Sequence, residues 1–394
     1  MSVFQPLRGK SVFVTGHTGF KGSWLCLWLD KLGAKVTGYA LNPPTAPSNF
    51  VISEVKDVLH DHHIADIRDV ASLERAMRKA KPDLILHLAA QSVVRAGYRN
   101  PMETFDVNVM GTVAVLEAVR KLDHSCSVVC VTSDKCYENI EQVWGYRESD
   151  KMGDHDPYGG SKGAAELAIQ SYRHSFFQPE EFSKHGVKLA SARAGNVIGG
   201  GDWTKDALIV DVVKALASNE PVALRSPGSF RPWQHVLQAL SGYLTLATKL
   251  LSSDEPAWCT GWNFGPAPGN EIPVKDVVEI FLSEWGRGSW IDVSGGKNPR
   301  EANILRLSID KALWELGWKP CWSVEQVLQQ TARWYRHHIE TGGAMRSFSV
   351  GQIEDYEREF LRRVTTATER EPTHGGREAN PREVGLGTSP ELVN

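Results

Sequence analysis

Tyr158 and Lys162 are the residues of this chain whose spacing most clearly suggests chemistry. Asp156 and Pro157 precede them in the pattern of a helix start, with the aspartate as N-cap and the proline at the first helical position. The tyrosine and the lysine then lie one turn apart on the same helix face. A nearby ammonium stabilises a phenolate, so we expect the pKa of Tyr158 to fall from roughly 10 toward neutrality. The pair predicts a general base for an alcohol, although the spacing alone also fits a chance pair on an exposed helix.

A charged tetrapeptide, Thr132-Ser133-Asp134-Lys135, lies a short way upstream of this pair. It brings a carboxyl and an amine close to the predicted base. The combination indicates a site that removes a proton from an alcohol and then carries out a second step with the two charged residues. Elements elsewhere in the chain must bring these two segments together.

A glycine-rich turn follows the first predicted strand, residues 11–15. Gly16, Gly19 and Gly22 recur at intervals of three before a helix begins. This spacing allows a tight turn, a close approach of the backbone to a pyrophosphate and a helix packed against the strand. We therefore predict a dinucleotide-binding turn rather than a plain strand-to-helix connection, with contacts from Gly16, His17, Gly19, Phe20, Lys21 and Gly22.

The identity of the dinucleotide depends on the end of the second strand. That strand ends at Leu41-Asn42-Pro43-Pro44, with neither a carboxylate for a ribose 2′-hydroxyl nor an arginine for a 2′-phosphate. The pattern favours NAD and leaves NADP open. His17 and Lys21 either add positive charge near the phosphates or are solvated loop residues. Further predicted cofactor contacts lie near the adenine or at the carboxyl edge of the sheet: Asp66, Ile67, Leu88, Ala89 and Ala90.

The composition limits the classes of partner. The chain has 394 residues, 41% of them hydrophobic and 23% charged, which is ordinary for a globular protein. The formal net charge of −3 gives no electrostatic case for a nucleic-acid partner. No apolar run approaches the roughly 20 residues needed to span a bilayer, and the N-terminus lacks the pattern of a signal peptide. We expect a cytoplasmic protein without a membrane partner.

Cysteine and histidine spacing predicts neither disulfides nor a metal site. None of the six cysteines forms a C-x-x-C pair, and cytoplasmic chains rarely use disulfides. Two pairs of adjacent histidines, His62-His63 and His337-His338, invite a metal interpretation. Adjacent residues on a strand or helix cannot easily bind one ion together, so no metal is expected.

Strands and helices alternate through the first 200 residues. Five buried strands are predicted near 11–15, 35–41, 83–88, 127–132 and 187–192, with helices near 22–32, 69–80, 102–121 and 158–177. This order predicts an α/β fold with a Rossmann-like, doubly wound parallel sheet. We divide the chain into an NAD-binding domain at 1–200, to which later elements can return, a smaller mixed α/β substrate-binding domain at 201–345, and a disordered tail at 365–394.

Longer sequence runs make the chain resemble the extended short-chain dehydrogenase/reductase family. Within it, the chain is most similar to the nucleotide-sugar 4,6-dehydratases, above all those acting on CDP-D-glucose. The resemblance covers roughly residues 8–340. It is carried by the glycine turn, Asp66, Asn108, the Tyr158/Lys162 pair and five runs: 132–137, 144–148, 192–203, 231–236 and 261–266.

The resemblance implies a three-step reaction with no net redox change. The 4-hydroxyl of a glucose is oxidised by NAD, water leaves across carbons five and six, and the hydride returns to carbon six. The product is a 4-keto-6-deoxy sugar nucleotide, a precursor of dideoxy sugars on bacterial surface polysaccharides. Tyr158 is then the base, Lys162 its cationic neighbour and a ribose contact, and Ser133 a hydrogen-bonding partner at the same oxygen. Thr132 and Asn108 join the cofactor contacts.

The resemblance also assigns the elimination step and the substrate contacts. Asp134 becomes the acid that protonates the leaving hydroxyl, which requires burial to keep its proton. Lys135 stands where many related dehydratases carry glutamate, so it is either a neutral base at carbon five or a charge that stabilises the enolate. An arginine suits a pyrophosphate because its planar guanidinium can donate two hydrogen bonds at once. The predicted contacts to the nucleotide sugar are Arg193, Asn196, Arg231, His235 and Arg300.

Three alternative functions remain, and the family resemblance also predicts an oligomeric state. A 4-epimerase needs no charged pair after Ser133, a GDP-mannose 4,6-dehydratase shares the dehydratase pattern, and a non-catalytic NAD-binding protein could use the same fold. The helices near 102–121 and 158–177 are apolar on more than one face, so one face of each needs a partner beyond the sheet. Members of the family pair through these two helices, which implies a homodimer.

Overall fold

The structure, a computed structural model, describes residues 3–267, 269–294 and 305–368, with side chains described up to residue 363. Its strands are β1 Ser11–Thr15, β2 Lys35–Ala40, β3 Asp61–Ile64, β4 Leu84–His87, β5 Cys126–Val131, β6 Val187–Arg193, β7 Val197–Ile198, β8 Val222–Leu224, β9 Phe230–Pro232, β10 Gln234–His235, β11 Gly261–Asn263, β12 Glu271–Pro273 and β13 Trp290–Asp292.

Fourteen α-helices connect and cover these strands in the described part of the chain. They are α1 Phe20–Lys31, α2 Asn49–Ile52, α3 Val70–Ala80, α4 Val94–Arg99, α5 Pro101–Phe105, α6 Gly111–Arg120, α7 Pro157–Ser175, α8 Phe182–His185, α9 Leu208–Ala217, α10 Val236–Ser252, α11 Val274–Trp285, α12 Asp310–Trp314, α13 Val324–Thr341 and α14 Arg346–Thr368. A π-helical turn, Asp106–Met110, joins α5 to α6.

Seven strands form one parallel sheet in the order β11-β6-β5-β4-β1-β2-β3. The strand order reverses between β1 and β4, and the crevice outside the carboxyl ends of strands at such a point is where open α/β sheets bind ligands. The predicted α/β fold with a doubly wound parallel sheet is therefore confirmed. The five-strand pattern did not predict β3, because its residues, Asp-His-His-Ile, are too polar for a buried strand.

Alternation along the strands divides the core between the two faces of the sheet. Val12 and Val14 of β1 join the cluster that contains residues of α1, α10, α13 and α14, whereas Phe13 joins the cluster with α3 and α6. Both faces are apolar because helices cover both. None of the described helices is long and apolar enough to cross a membrane.

Elements beyond residue 200 contribute to the main sheet as well as to a second lobe. β11 pairs with β6 and α10 packs beneath β5, so these later segments return to the first lobe. The two-stranded pairs β9–β12 and β8–β13 form separately. Helix α14 was not predicted; its Phe360 stacks on Phe4, and its Glu357 accepts a hydrogen bond from Trp28 at 2.7 Å. The predicted tail at 365–394 begins within α14 and otherwise lies outside the described residues.

Candidate active site

The glycine turn between β1 and α1 is folded tightly against the end of β4. Gly16 has φ +75°, and a Cβ there would lie 2.7 Å from the backbone nitrogen of Ala89. A Cβ on Gly22 would lie 2.2 Å from the carbonyl oxygen of Gly16. Gly19 is the residue before α1, so the start of that helix faces the turn. These contacts leave no room for side chains and fit a dinucleotide pyrophosphate at a helix N-terminus.

The two basic residues of the turn differ from each other. His17 is fully buried and its Nε2 lies 2.8 Å from Nδ1 of His62. Burial, followed by repulsion from His62, lowers the pKa of His17 to about 3, so it carries no positive charge at neutral pH. Burial lowers the pKa of Lys21 to about 8, and the neighbouring Asp134 and Asp202 oppose this shift. Lys21 therefore stays mostly protonated at neutral pH, and its contact with the phosphates stays a prediction.

The loop after β4 forms the adjoining wall. The backbone nitrogens of Leu88 and Ala89 each lie 3.2 Å from Oγ1 of Thr15, which fixes the strand end beside the turn. Asn108 is buried below this loop; its Oδ1 accepts from Gln91 N at 2.8 Å and its Nδ2 donates to Ser161 Oγ at 2.9 Å. Both ends of the amide are thus occupied, so Asn108 supports the wall and offers no free group to a cofactor.

The opposite end of the crevice holds Asp66 and Ile67. Arg68 donates two hydrogen bonds to Oδ2 of Asp66, at 2.6 and 3.1 Å, and a salt bridge joins Arg68 to Asp106. Hydrogen bonding from Arg68 lowers the pKa of Asp66. Ile67 is buried against Gly111: a Cβ on that glycine would lie 2.4 Å from Cδ1 of Ile67. The carboxylate of Asp66 is partly exposed at this edge of the sheet.

The predicted catalytic residues come together where β5 ends. Asp156 caps α7 as predicted, accepting from the backbone nitrogens of Tyr158 and Gly159 at 2.9 and 3.1 Å. The phenol of Tyr158 lies beside the side chain of Ser133, which acts to lower the pKa of the phenol. Ser133 Oγ donates to Asp134 Oδ1 at 2.9 Å. Two segments separated by more than twenty residues therefore meet at Ser133.

The expected fall in the pKa of Tyr158 is not found in the protein alone. Burial raises the pKa of the phenol, and the neighbouring Ser133 side chain only partly opposes this effect. Lys162 is buried too, and burial followed by repulsion from Lys21 lowers its pKa to about 8. Desolvation is therefore the largest influence on both pKa values.

Asp134 is 4% exposed and lies against the backbone of Gly195. A Cβ on Gly195 would approach the carboxyl carbon and Oδ2 of Asp134 to 1.9 Å. Tyr243 of α10 is also buried near this carboxyl and near Tyr158, and burial raises its pKa. Its hydroxyl has no hydrogen-bond partner among the described residues. The sequence analysis assigned neither residue a role: Tyr243 belongs to no local motif, and the run 192–203 that contains Gly195 does not reveal its contact with Asp134.

Lys135 differs from its neighbours in being partly exposed. Its backbone nitrogen donates to Ser133 Oγ at 3.3 Å, and the short 3₁₀ turn Asp134–Cys136 holds its Cα beside the N-terminus of α7. A Cβ on Gly159 would lie 2.9 Å from the carbonyl oxygen of Lys135. The backbone of Lys135 is therefore held in a closely packed turn against the start of α7.

Two of the predicted substrate contacts are wrong. Arg193 is 5% exposed, and its guanidinium donates to Glu166 Oε2 at 2.9 Å and to Tyr137 Oη at 2.6 Å. It belongs to a buried ion pair, so it cannot hold a pyrophosphate. His235 is fully buried as the N-cap of α10, and burial lowers its pKa to about 3. The sequence predicted Arg193 and His235 as binding residues because it does not reveal which polar side chains are buried in the protein interior.

Asn196 and Arg231 remain candidates at the mouth of the crevice. Asn196 is partly exposed and adopts φ +48° in the turn that follows β6. Arg231 lies on β9, where its Nη1 donates to the carbonyl of Phe230 at 2.8 Å, and it is partly exposed as well. Arg300 lies outside the described residues. Among the residues that are described, no cluster of three or more His, Cys, Asp or Glu could hold a metal ion.

Comparisons with known proteins agree with this geometry. The family model of GDP-mannose 4,6 dehydratase matches residues 13–180. The chain is 48% identical over 350 residues to the CDP-glucose 4,6-dehydratase of Salmonella typhimurium, covering 89% of this chain and 96% of that protein. It is 27% identical to the GDP-mannose 4,6-dehydratase of Yersinia enterocolitica, covering 77% and 79% of the two chains.

Solved structures share the fold. The dTDP-glucose 4,6-dehydratase of Streptomyces venezuelae, with NAD and TYD bound, aligns with a TM-score of 0.69 at 24% identity, over 83% of this chain and 97% of that one. The UDP-glucose 4-epimerase of Thermotoga maritima aligns with a TM-score of 0.68 at 21% identity, over 83% and 99%. The chain belongs to the extended short-chain dehydrogenase/reductase family and, within it, to the nucleotide-sugar dehydratases.

Proposed function

We propose that this chain catalyses the NAD-dependent 4,6-dehydration of CDP-D-glucose to CDP-4-keto-6-deoxy-D-glucose, and is therefore a hydro-lyase. The observation that carries the proposal is that Tyr158, Ser133 and Asp134 lie together beside the glycine turn. This set supplies a base, a hydroxyl and a carboxyl within one site. The cytidine nucleotide rests on the 48% identity to the Salmonella enzyme.

The residues of the crevice fit NAD. The Gly16 and Gly22 contacts leave a cradle that any side chain would fill, and Leu88 to Ala90 line its next wall. Bound NAD supplies the hydride acceptor for the oxidation, the hydride donor for the final reduction and a positive charge beside the phenol. Lys162 is placed to hold the nicotinamide ribose, and its ammonium and that added charge act against the burial that raises the pKa of Tyr158.

In the oxidation, Tyr158 takes the proton from the sugar 4-hydroxyl. Ser133, beside the phenol, hydrogen-bonds the same oxygen. The resulting 4-ketone acidifies the proton on carbon five. After the water has left, Tyr158 releases the proton that it took up to solvent and Asp134 takes one up from solvent, so the site regains its starting protonation.

In the elimination, Asp134 gives a proton to the hydroxyl that leaves carbon six as water. Its carboxyl is buried against Gly195. Lys135 is the residue nearest in sequence that can take the carbon-five proton or stabilise the enolate by charge. Its side chain is partly exposed.

Incubation of the purified chain with NAD and CDP-D-glucose tests the proposal. We expect a product with the alkaline absorbance of a 4-keto-6-deoxy sugar, and no net reduction of the cofactor. CDP-D-galactose as the product would identify a 4-epimerase instead. Turnover of GDP-mannose or dTDP-glucose in preference to CDP-D-glucose would refute the assignment of cytosine as the nucleotide base. A chain that binds NAD but changes none of these sugars would be a non-catalytic member of the fold.

We also propose a homodimer formed by the α5–α7 region. Several large apolar side chains are exposed on it: Met102 (84%), Phe105 (41%), Met110 (54%) and Leu167 (55%). An apolar helix face of this kind supports burial against a second copy. Sedimentation analysis should give a dimer that Leu167→Glu dissociates, whereas Val51→Glu, on the distant α2 with 63% exposure, leaves it intact. A monomeric parent protein at micromolar concentration would contradict the proposal.

We further propose that the protein works in the cytoplasm and feeds the synthesis of deoxy sugars for bacterial surface polysaccharides. All six cysteines are free and buried, which suits a reducing compartment. A reductive or group-transfer step must follow, because a 4-keto-6-deoxy sugar is a reactive precursor. Fractionation of cells that express the chain would locate the activity.

A further inference from the structure

A buried ion pair holds both ends of the catalytic segment, defined as residues 132–137. At the first end, Thr132 Oγ1 donates to Glu166 Oε1 at 2.5 Å. At the other, Tyr137 Oη accepts from Arg193 Nη1 at 2.6 Å and donates to Asn263 Oδ1 at 2.8 Å. The candidate acid and its neighbouring lysine lie between these two anchors, so the ion pair brackets the residues assigned to the elimination.

The two anchors are parts of one network. Arg193 Nη2 donates to Glu166 Oε2 at 2.9 Å, and Ser191 Oγ donates to the same oxygen at 2.8 Å. Glu166 and Arg193 are 4% and 5% exposed. Burial alone would raise the pKa of Glu166, but Arg193 and the hydrogen bonds outweigh it and lower the pKa, so the carboxylate stays charged.

Glu166 also lies on the helix that carries the candidate base. It follows Lys162 by one turn of α7 and Tyr158 by two, on the same helical face. A shift of its carboxylate moves Thr132 relative to α7, because the hydrogen bond between them is the direct polar link from the segment's first residue to that helix. The carboxylate thus links the helix that carries the base to the segment that carries the acid.

Energetics favour a positioning role over a purely stabilising one. A buried ion pair gains little net stability compared with apolar residues of similar volume, because both charges lose their hydration. Its geometry, by contrast, is directional, since each carboxylate oxygen and each guanidinium nitrogen has a defined partner. A network of this kind is suited to fixing two elements at one separation.

We propose that the Glu166–Arg193 pair is a positioning device for the elimination step, which rests on the proposed function. Tyr158 and Lys162 belong to α7 itself and keep their places when the pair is weakened. Asp134 and Lys135 belong to the segment that the pair holds, so their alignment with the sugar is lost. Ser133 lies on the same segment, so the oxidation slows as well, but less than the loss of water, which depends on both Asp134 and Lys135.

The test is a single turnover of the full chain with NAD and CDP-D-glucose. The near-ultraviolet absorbance of reduced nicotinamide follows the oxidation, and the alkaline absorbance of the 4-keto-6-deoxy product follows the elimination. For Glu166→Gln we expect the elimination to fall about 10²-fold, the usual cost of a displacement of about 1 Å, and the oxidation to fall distinctly less. Reduced nicotinamide then accumulates during turnover, which it does not in the parent.

Glu357→Gln is the matched control. Glu357 is a buried carboxylate as well (9% exposed), bonded to Trp28 and Lys31 far from the crevice, so its change should leave both steps unaltered. Should Glu166→Gln fail to fold, Tyr137→Phe removes the other anchor and keeps the ion pair. The same separation of the two rates is expected. Parallel slowing of both steps, or an unchanged elimination in a folded variant, would overturn the proposal. A parent protein without dehydratase activity would refute the proposed function instead.

Discussion

Gly195→Ala should disable the candidate acid with a single methyl group. An ideal Cβ at this position lies 1.9 Å from the carboxyl of Asp134, whereas ordinary contact begins near 3.4 Å. The carboxyl must therefore move by about 1.5 Å, the difference between these two distances. At 4% exposure it has little free space to move into. A misplacement of about 1 Å can cost about 10²-fold, so we expect product formation to fall by at least that factor.

The assay is the rate of 4-keto sugar formation at saturating CDP-D-glucose, with Gly351→Ala as the control. Gly351 lies in α14 with nothing within 4 Å of its ideal Cβ, so this variant should retain the parental rate. In an Asp134→Ala background the new methyl group meets no carboxyl, and Gly195→Ala should then cost little more. Parental turnover by Gly195→Ala, or an equal further loss in the Asp134→Ala background, would refute the reasoning.

Three further outcomes are expected. Tyr158→Phe should lower turnover by about 10²–10⁴-fold because it removes the base, and an unchanged rate would exclude that role. Burial lowers the pKa of Lys162 to about 8, so between about pH 8 and 10.5 the unfolded chain binds more protons than the folded one, and the free energy of unfolding in urea should rise with pH. Lys162→Met should reduce that rise by up to about 3 kcal/mol. An unaltered pH dependence in this variant would contradict the lowered pKa. Arg193→Met should lower the free energy of unfolding by about 3–5 kcal/mol, because it leaves the Glu166 carboxylate buried without its ion-pair partner. A variant with unchanged stability and weaker substrate binding would instead support the predicted contact between Arg193 and the pyrophosphate.

Local patterns were enough to predict the main elements of the fold. The apolar runs at β1, β2, β4, β5 and β6 are strands, because buried parallel strands need apolar side chains on both faces. The start of α7 followed from an N-cap and a proline, two signals that act within a few residues. β3 and α14 were missed, because an edge strand needs few apolar residues and α14 is specified by its contacts with α1.

The candidate site was predictable only in part, for a related reason. The glycine turn and the Tyr158/Lys162 spacing are short-range signals that depend on backbone geometry. Arg193 and His235 were misassigned because burial depends on the packing of distant segments, here β6, α7 and α10. The sign of the Tyr158 pKa shift was wrong for the same reason, since helical spacing reports the neighbouring charge and not the desolvation.

The amino-acid sequence by itself determined which residue types stand at each turn, cap and strand, and therefore the parallel sheet, the dinucleotide cradle and the family. Only the tertiary structure decided which polar groups meet: Glu166 with Arg193, Asp134 with Gly195, and Ser133 with Tyr158. Backbone geometry is set within a few residues along the chain, whereas burial and electrostatic environment are set by segments that approach each other only after folding.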